Sequence, residues 1–338
     1  MERYVVEKRI GVGSYGSAYL VHFRKDRNVK CVLKKIRLDN VGPKERAAAH
    51  QEVKLLSQLS HPFVLGYIDS FQYKNFLCIV TEFCEAGDLY NKLKSCKTYL
   101  KEEQVVEWFV QLLSAIQYLH ERKVLHRDLK TQNVFLTKEG NIKLGDFGIA
   151  RVLNAPVEMA MTVIGTPYYM SPEIMESKPY DFKSDLWAFG CVLYELTSLK
   201  HAFDAQDMNG LVMKILRGKY GSPPAHFSPE LRQVVSRLLS KEPEQRPSCE
   251  QLNELAWVKS IMQQFSPKLS QLRREEMDKI SYLKACSRGE IDKDFRKKGD
   301  QVGETRMKVE AQLQKEHAQK ESVEEKLARL QALPPRIP

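Results

Sequence analysis

The hydrophobic period changes once along this chain, and that change limits the folds it can adopt. Residues 4–36 (YVVEKRIGVGSYGSAYLVHFRKDRNVKCVLKKI) alternate and are rich in Val, Tyr and Ile. They predict three antiparallel strands with a glycine turn first and a polar turn, Arg24 to Asn28, second. Residues 43–59 switch to helical spacing behind Pro43. The segment FVLGYIDSFQYKNFLCIVTEFCEAGDL returns to strands, with a turn near Lys74–Asn75. After Gly87 the helical period takes over. EEQVVEWFVQLLSAIQYLHERK puts Val106, Phe109, Val110, Leu113, Ile116 and Leu119 on one face. Residues 124–148 read as short strands and loops. Helices dominate from about 183 to 258, broken at Gly221–Pro224 and Glu242–Pro247. The expected fold class is therefore α+β. A small β-rich lobe with one main helix (about 4–84) is followed by a larger helical lobe (about 85–258), with a junction near 82–87. A cleft between such lobes is a common place for a ligand.

Composition narrows the function classes. The 338 residues are 43% hydrophobic and 28% charged, as in a soluble globular protein. No stretch approaches a membrane span, and MERYVVEKRI has no apolar signal core behind it. Seven scattered cysteines without a CxxC pair predict reduced thiols, a cytosolic or nuclear setting and no zinc site. Residues 261–338 hold 17 Lys/Arg and 13 Asp/Glu, so +4 of the +10 net charge lies there and +6 in residues 1–260. Both signs are interleaved throughout, which predicts a solvated surface and no nucleic-acid or membrane partner.

From about Ser266 the composition shifts to Lys, Arg, Glu and Gln, and residues 266–338 read as a charged tail. Val309, Leu313, Val323, Leu327 and Leu330 fit one heptad register, but its intervening slots fall on Glu316 and Lys320. A weak coiled coil and a single solvated helix both fit, ended by Pro334–Pro335.

The chemistry lies between the lobes. GVGSYG places Gly11, Val12, Gly13, Ser14, Tyr15 and Gly16 between two predicted strands. A Rossmann turn would lead into a helix instead. A hairpin of backbone N–H groups can cover phosphates, with glycines permitting close approach, although an ordinary hairpin carries the same letters. Lys34 lies in the strand CVLKKI, its neighbour Lys35 on the opposite face. Glu52 in HQEVKLL is its expected ionic partner, and that pair would hold the ammonium toward the phosphates. VLHRDLKTQNVF then sets His126, Arg127, Asp128, Lys130 and Asn133 inside an apolar run, where unpaired charge is costly. Asp128 can accept or orient a hydroxyl proton, and Lys130 can neutralise charge on a transferring phosphoryl group. Asn133 offers an amide oxygen to a hard cation, and Asp146 in LGDFG a carboxylate.

In order and spacing these residues resemble a eukaryotic protein kinase over residues 4–258. The resemblance extends through Ser171-Pro172-Glu173, Asp185 and Trp187 in SDLWAFG, and Arg246 in QRPS. HRDLKTQN, with Lys130, is similar to the Ser/Thr-specific members. VIGTPYYMSPEIM and FCEAGDL resemble the NIMA-related (Nek) kinases. So does a swap of residue sizes, Ala18 and Val32 where valine and alanine are usual. The resemblance implies a bilobal kinase fold, ATP with Mg²⁺ or Mn²⁺, and protein Ser/Thr substrates. It implies adenine between Ala18 and Val32, a hinge at Glu82-Phe83-Cys84 after Thr81, and Asp88 near the ribose. Cys84 is read as a plain hinge residue. Roles in mitosis, centrosomes, cilia or microtubule organisation come with the family, as do a cytoskeletal or coiled-coil partner for the tail and a hydrophobic residue three before the acceptor.

Regulation follows the same resemblance. Thr162 matches an activating phosphosite, modified by an upstream kinase or by the chain itself. Its phosphate would bridge Arg127 and Arg151 and order residues 149–170; an unmodified loop threonine is the alternative. Thr166 matches a structural hydroxyl. Leu56, Tyr67, His126 and Phe147 match an apolar column between the lobes. Tyr67 is read as ordinary core, with folding into the site the alternative. Glu173 and Arg246 are expected to form a buried pair. A catalytically weak scaffold acting through the tail, and a nucleotide-binding oxidoreductase, are the competing classes. The retention of Lys34, Asp128, Asn133 and Asp146 and the lack of a βαβ pattern favour the kinase.

Overall fold

A computed structural model describes residues 1–13, 16–39, 42–146 and 167–290. Strands β1 (Tyr4–Gly13), β2 (Gly16–Phe23), β3 (Asp26–Arg37), β4 (Tyr67–Tyr73) and β5 (Phe76–Glu82) form one antiparallel sheet in the order β1-β2-β3-β5-β4. The period-2 segments thus form the sheet. The β2–β3 turn is tighter than expected, because β3 already begins at Asp26, whose carboxylate accepts from the Asn28 N–H. Lys74, at φ +53, makes the β4–β5 turn. Helix α1 (Pro43–Gln58) starts on Pro43, where a missing N–H costs nothing. Its buried residues Ala49, Val53 and Leu56 join the core.

The helical lobe contains α2 (Leu89–Ser95), α3 (Glu102–Glu121), the hairpin β6 (Val134–Leu136) and β7 (Ile142–Leu144), and α4 (Pro172–Met175). It continues with α5 (Phe182–Ser198), α6 (Met208–Arg217), α7 (Pro229–Leu238), α8 (Cys249–Asn253) and α9 (Ala256–Arg288). Helix α3 is enclosed on several sides. Val105 is fully buried where the sequence pointed to Val106, and Trp108, Gln111 and Leu112 are buried as well. A one-face pattern understates a central helix. Gln111 is satisfied there, donating to Asn141 Oδ1 at 3.0 Å and accepting from the Ile142 N–H at 2.8 Å. Asp181 opens α5 with a capping box.

The composition change at Ser266 falls inside α9, and the first compact unit runs to Ser287. The second unit, Arg288–Pro338, is described only as far as Glu290, so the heptad residues 309–330 lie outside the described residues. None of the seven cysteines is in a disulfide, and no described helix is long and apolar enough to cross a membrane.

Candidate active site

Register defines the roof of the cleft. Directly paired residues of antiparallel strands share a face. Ala18 pairs with Lys34, Val32 pairs with Leu20 and Thr81, and Thr81 pairs with Tyr67. Ala18, Val32, Lys34 and Thr81 therefore occupy one face of the sheet. Lys35 lies on the other, its ammonium 5.0 Å from the Tyr19 ring centre. Gly16 is required sterically, since a Cβ there would sit 1.9 Å from the Lys35 carbonyl oxygen. Gly11 and the exposed Val12 lead into the loop, while Ser14 and Tyr15 lie outside the described residues.

The floor is the stretch from His126 to Asn133, which converges on Asp128. Lys130 Nζ donates to Asp128 Oδ2 at 2.8 Å, and Asn133 Nδ2 donates to the same oxygen at 2.9 Å and to the Asp128 carbonyl at 2.7 Å. The expected trio is assembled. Buried His126 ties the stretch to Gly145, just after β7. Its Nδ1 accepts from the Asp128 N–H at 3.3 Å, which leaves Nε2 as the donor to the Gly145 carbonyl at 3.0 Å. Burial lowers the imidazole pKa, so the ring is neutral at pH 7. Arg127 and Asp146 both have positive φ, +66 and +59. Non-glycine residues hold that strained region only where surrounding bonds impose it.

For Arg127 those bonds come from Asp185, fully buried on α5. Its carboxylate accepts from the His126 N–H (2.9 Å), the Arg127 N–H (3.0 Å) and the Tyr180 hydroxyl (2.6 Å), and meets His120 Nε2 at 2.9 Å. Burial alone would raise its pKa, yet these partners hold it below the usual carboxylate range. Thr131 is anchored too, its hydroxyl donating to Glu195 Oε2 at 3.0 Å and lying 2.8 Å from the Tyr169 hydroxyl. The sequence reading named Asp185 without giving it this work, and it missed Glu195. A buried acid within an apolar helix was the available signal.

One expected pair is not formed. Lys34 Nζ donates to Asp146 Oδ1, not to Glu52. Glu52 Oε2 is buried without a hydrogen-bond partner, and burial pushes the carboxyl up to about 7 against a smaller opposing pull from Arg127. The ammonium goes to the carboxylate that the strained turn delivers, while the orientation of α1 leaves Glu52 without it. Sequence spacing cannot report how a helix is rotated on a sheet.

The hinge is pinned to β6, with the Ala86 N–H donating to the Leu136 carbonyl at 3.1 Å and the Leu136 N–H to the Gly87 carbonyl at 2.8 Å. Cys84 is buried, and burial raises its thiol pKa far above normal, which leaves it unreactive. Asp88 caps α2, accepting from the Asn91 N–H at 2.8 Å. The Tyr67 hydroxyl donates to Ser70 on its own strand at 2.6 Å. Leu56 and His126 are buried members of the expected column. Phe147, Arg151, Thr162 and Thr166 lie outside the described residues. Glu173 and Arg246 form the expected buried pair, with Nη1 to Oε1 at 2.7 Å and Nη2 to Oε2 at 2.8 Å.

No three His, Cys, Asp or Glu side chains gather as a metal site among the described residues. The donor set suits a different kind of site. Asn133 spends its amide nitrogen on Asp128 and keeps its amide oxygen, and Asp146 offers a carboxylate. One or two protein oxygens completed by phosphates and water is how Mg²⁺ is usually held.

Residues 4–258 match the protein kinase domain family. The chain is 52% identical over 258 residues to mouse (Mus musculus) serine/threonine-protein kinase Nek4, covering 76% of this chain and 32% of that protein. It is 47% identical over 271 residues to mouse Nek1, covering 80% and 22%. Against human (Homo sapiens) Nek5 it is 40% identical over 292 residues, covering 86% and 40%. The chain thus spans less than half the length of these relatives. The ordered motifs, the cleft that unites them and this likeness agree: the chain belongs to the protein kinase family and, within it, to the NIMA-related (Nek) serine/threonine kinases.

Proposed function

We propose that this chain transfers the γ-phosphoryl group of ATP, with Mg²⁺, to serine or threonine hydroxyls of proteins. The observation that carries this reading is the convergence of Lys130 and Asn133 on Asp128, held beside the Lys34–Asp146 pair. Adenine packs between Ala18 and Val32 and meets the hinge backbone from Glu82 to Cys84, with Asp88 near the ribose. Asp128 accepts or orients the acceptor hydroxyl's proton, and Lys130 stabilises charge on the moving phosphoryl. Asn133 and Asp146 would hold the metal ion, which supplies neutralising charge to the phosphate oxygens. Kinase catalysis needs the strand lysine paired with the helix glutamate. The described arrangement, with Lys34 on Asp146 and Glu52 half-buried away from it, is therefore one that must rearrange before transfer.

Phosphorylation of Thr162, by an upstream kinase or by the chain itself, is the proposed trigger, through a bridge to Arg127 and Arg151. Work in cell division, cilia or microtubule organisation, at the cytoskeleton, centrosome or ciliary base, is proposed from the family alone. The test is transfer of labelled phosphate to a generic protein substrate by wild type, Asp128→Asn and Thr162→Ala. Loss in the first variant and weakening in the second support the reading. A Thr162→Ala chain as active as wild type removes the trigger.

A further inference from the structure

Helix α9 continues 30 residues past the end of the kinase-domain match at residue 258. Its 33 residues span roughly 50 Å. The first turns rest on the helical lobe, where Trp257 stacks on Phe109 with ring centres 6.0 Å apart and Lys268 pairs with Glu107. The last turns reach the β-rich lobe. There Lys284 approaches the Tyr67 ring, and the Ser287 carbonyl accepts from Arg3 Nη1 at 2.7 Å. Arg3 also pairs with Asp69 on β4 at 3.1 Å. A cation at the last carbonyls complements the helix dipole.

Between those ends the helix lies against the back of the hinge. Ile280 fills the space above Gly66, where a Cβ would fall 2.0 Å from Ile280 Cδ1. Gly66 is bonded both ways to Glu82, the first hinge residue. The Gly66 N–H donates to Glu82 Oε1 at 2.8 Å, and the Glu82 N–H donates to the Gly66 carbonyl at 2.9 Å. Lys143 Nζ lies 2.9 Å from Glu82 Oε1 and 2.6 Å from Glu276 Oε2, and half-exposed Lys279 donates to Glu82 Oε2. The helix thus adds one acid and one base to a buried acid–base pair. Burial alone would raise the Glu82 carboxyl, but the two ammonium groups hold it low.

We propose that α9 is an interlobe brace and that Lys279 and Ile280, outside the catalytic domain, are positioning residues that set the hinge for nucleotide. This rests on the kinase reading, in which the Glu82–Cys84 backbone meets adenine. Removing a contact on the far side of Glu82 leaves the phosphoryl-transfer groups in place, so binding suffers and turnover does not.

The test uses the full chain as wild type, Lys279→Met, Lys279→Arg, Ile280→Ala and, as a control, Met277→Ala at an exposed position on the same helix. Affinity for a fluorescent ADP analogue, KM for ATP, kcat and hydrogen exchange at residues 82–86 are measured. Lys279→Met and Ile280→Ala should weaken nucleotide binding and raise KM roughly three- to tenfold at nearly unchanged kcat. Hinge amides should exchange faster, Lys279→Arg should restore affinity, and Met277→Ala should match wild type. Should Lys279→Met fail to fold, Ile280→Ala carries the same comparison. Folded variants that bind nucleotide like wild type overturn the brace alone. A wild type that binds no nucleotide overturns the kinase reading, and the brace's role with it.

Discussion

Replacing Asp185 with alanine should disable catalysis without touching any group that reaches substrate. The carboxylate accepts the His126 and Arg127 N–H groups at 2.9 and 3.0 Å inside the core. Each stranded buried donor costs about 1–3 kcal/mol, so the pair together costs about 2–6 kcal/mol. A kcal/mol shifts Tm by roughly 2–4 °C in a domain of this size, so Tm should fall by about 10 °C. The loss also frees Arg127 from its strained φ of +66, and the adjacent Asp128 moves with it. A misplacement of about 1 Å costs roughly 10²-fold in turnover. Asp185→Asn keeps one acceptor but turns an amide N–H₂ toward a donor, so it should fall between wild type and alanine. Thermal melts paired with kcat and KM for ATP at a temperature where both variants are folded decide the matter. The expected pattern is a large loss in kcat with KM for ATP little changed. An alanine variant that melts and turns over like wild type refutes the reasoning.

Other outcomes follow from the same geometry. Glu173→Ala strands the fully buried Arg246 guanidinium and should cost about 3–5 kcal/mol in chemical denaturation, whereas a Glu173→Leu/Arg246→Met double substitution should cost less than the single. Burial, aided by Arg273, Lys143 and Arg122, pushes the His61 pKa down to about 3 from 6.5. The unfolded chain then binds the extra proton, so stability falls as pH drops from about 6.5 toward 3, at up to about 1.4 kcal/mol per pH unit. The difference between wild type and His61→Gln in pH-dependent melts should show that slope. For Glu52 the sign is opposite, because a carboxyl raised to about 7 is protonated in the fold when the unfolded chain has lost its proton. Stability from this group declines between pH 4.5 and 7. Glu52→Gln should therefore melt above wild type at pH 8 and close to it at pH 5, while losing activity through the missing Lys34 partner.

Much of this was legible in the chain because it is local or ordered. Alternation in 4–36 and 63–82 gave the sheet, and the sequence of glycine loop, Lys34, Asp128, Asn133 and Asp146 gave the cleft. The Lys34–Asp146 pairing was not legible, since it depends on the rotation of α1 and on the strained turn at Asp146. The docked half of α9 was hidden by composition. A stripe at Phe265, Leu269, Leu272, Ile280 and Leu283 runs on helical spacing through the charged segment. Glu276 interrupts it, which made a packed face read as a solvated one. That glutamate is buried because Lys143 comes from β7 to meet it, a contact separated by 133 positions in the chain.

The proposed phosphoryl transfer is centred on Asp128. Its most direct test is the transfer of labelled γ-phosphate from ATP to a generic protein substrate by wild type and Asp128→Asn, at matched nucleotide occupancy. Wild type should label serine and threonine, and the variant should bind ATP normally while losing at least about 10²-fold in rate. A wild type that binds ATP yet transfers nothing after Thr162 phosphorylation, or a variant as fast as wild type, contradicts the account.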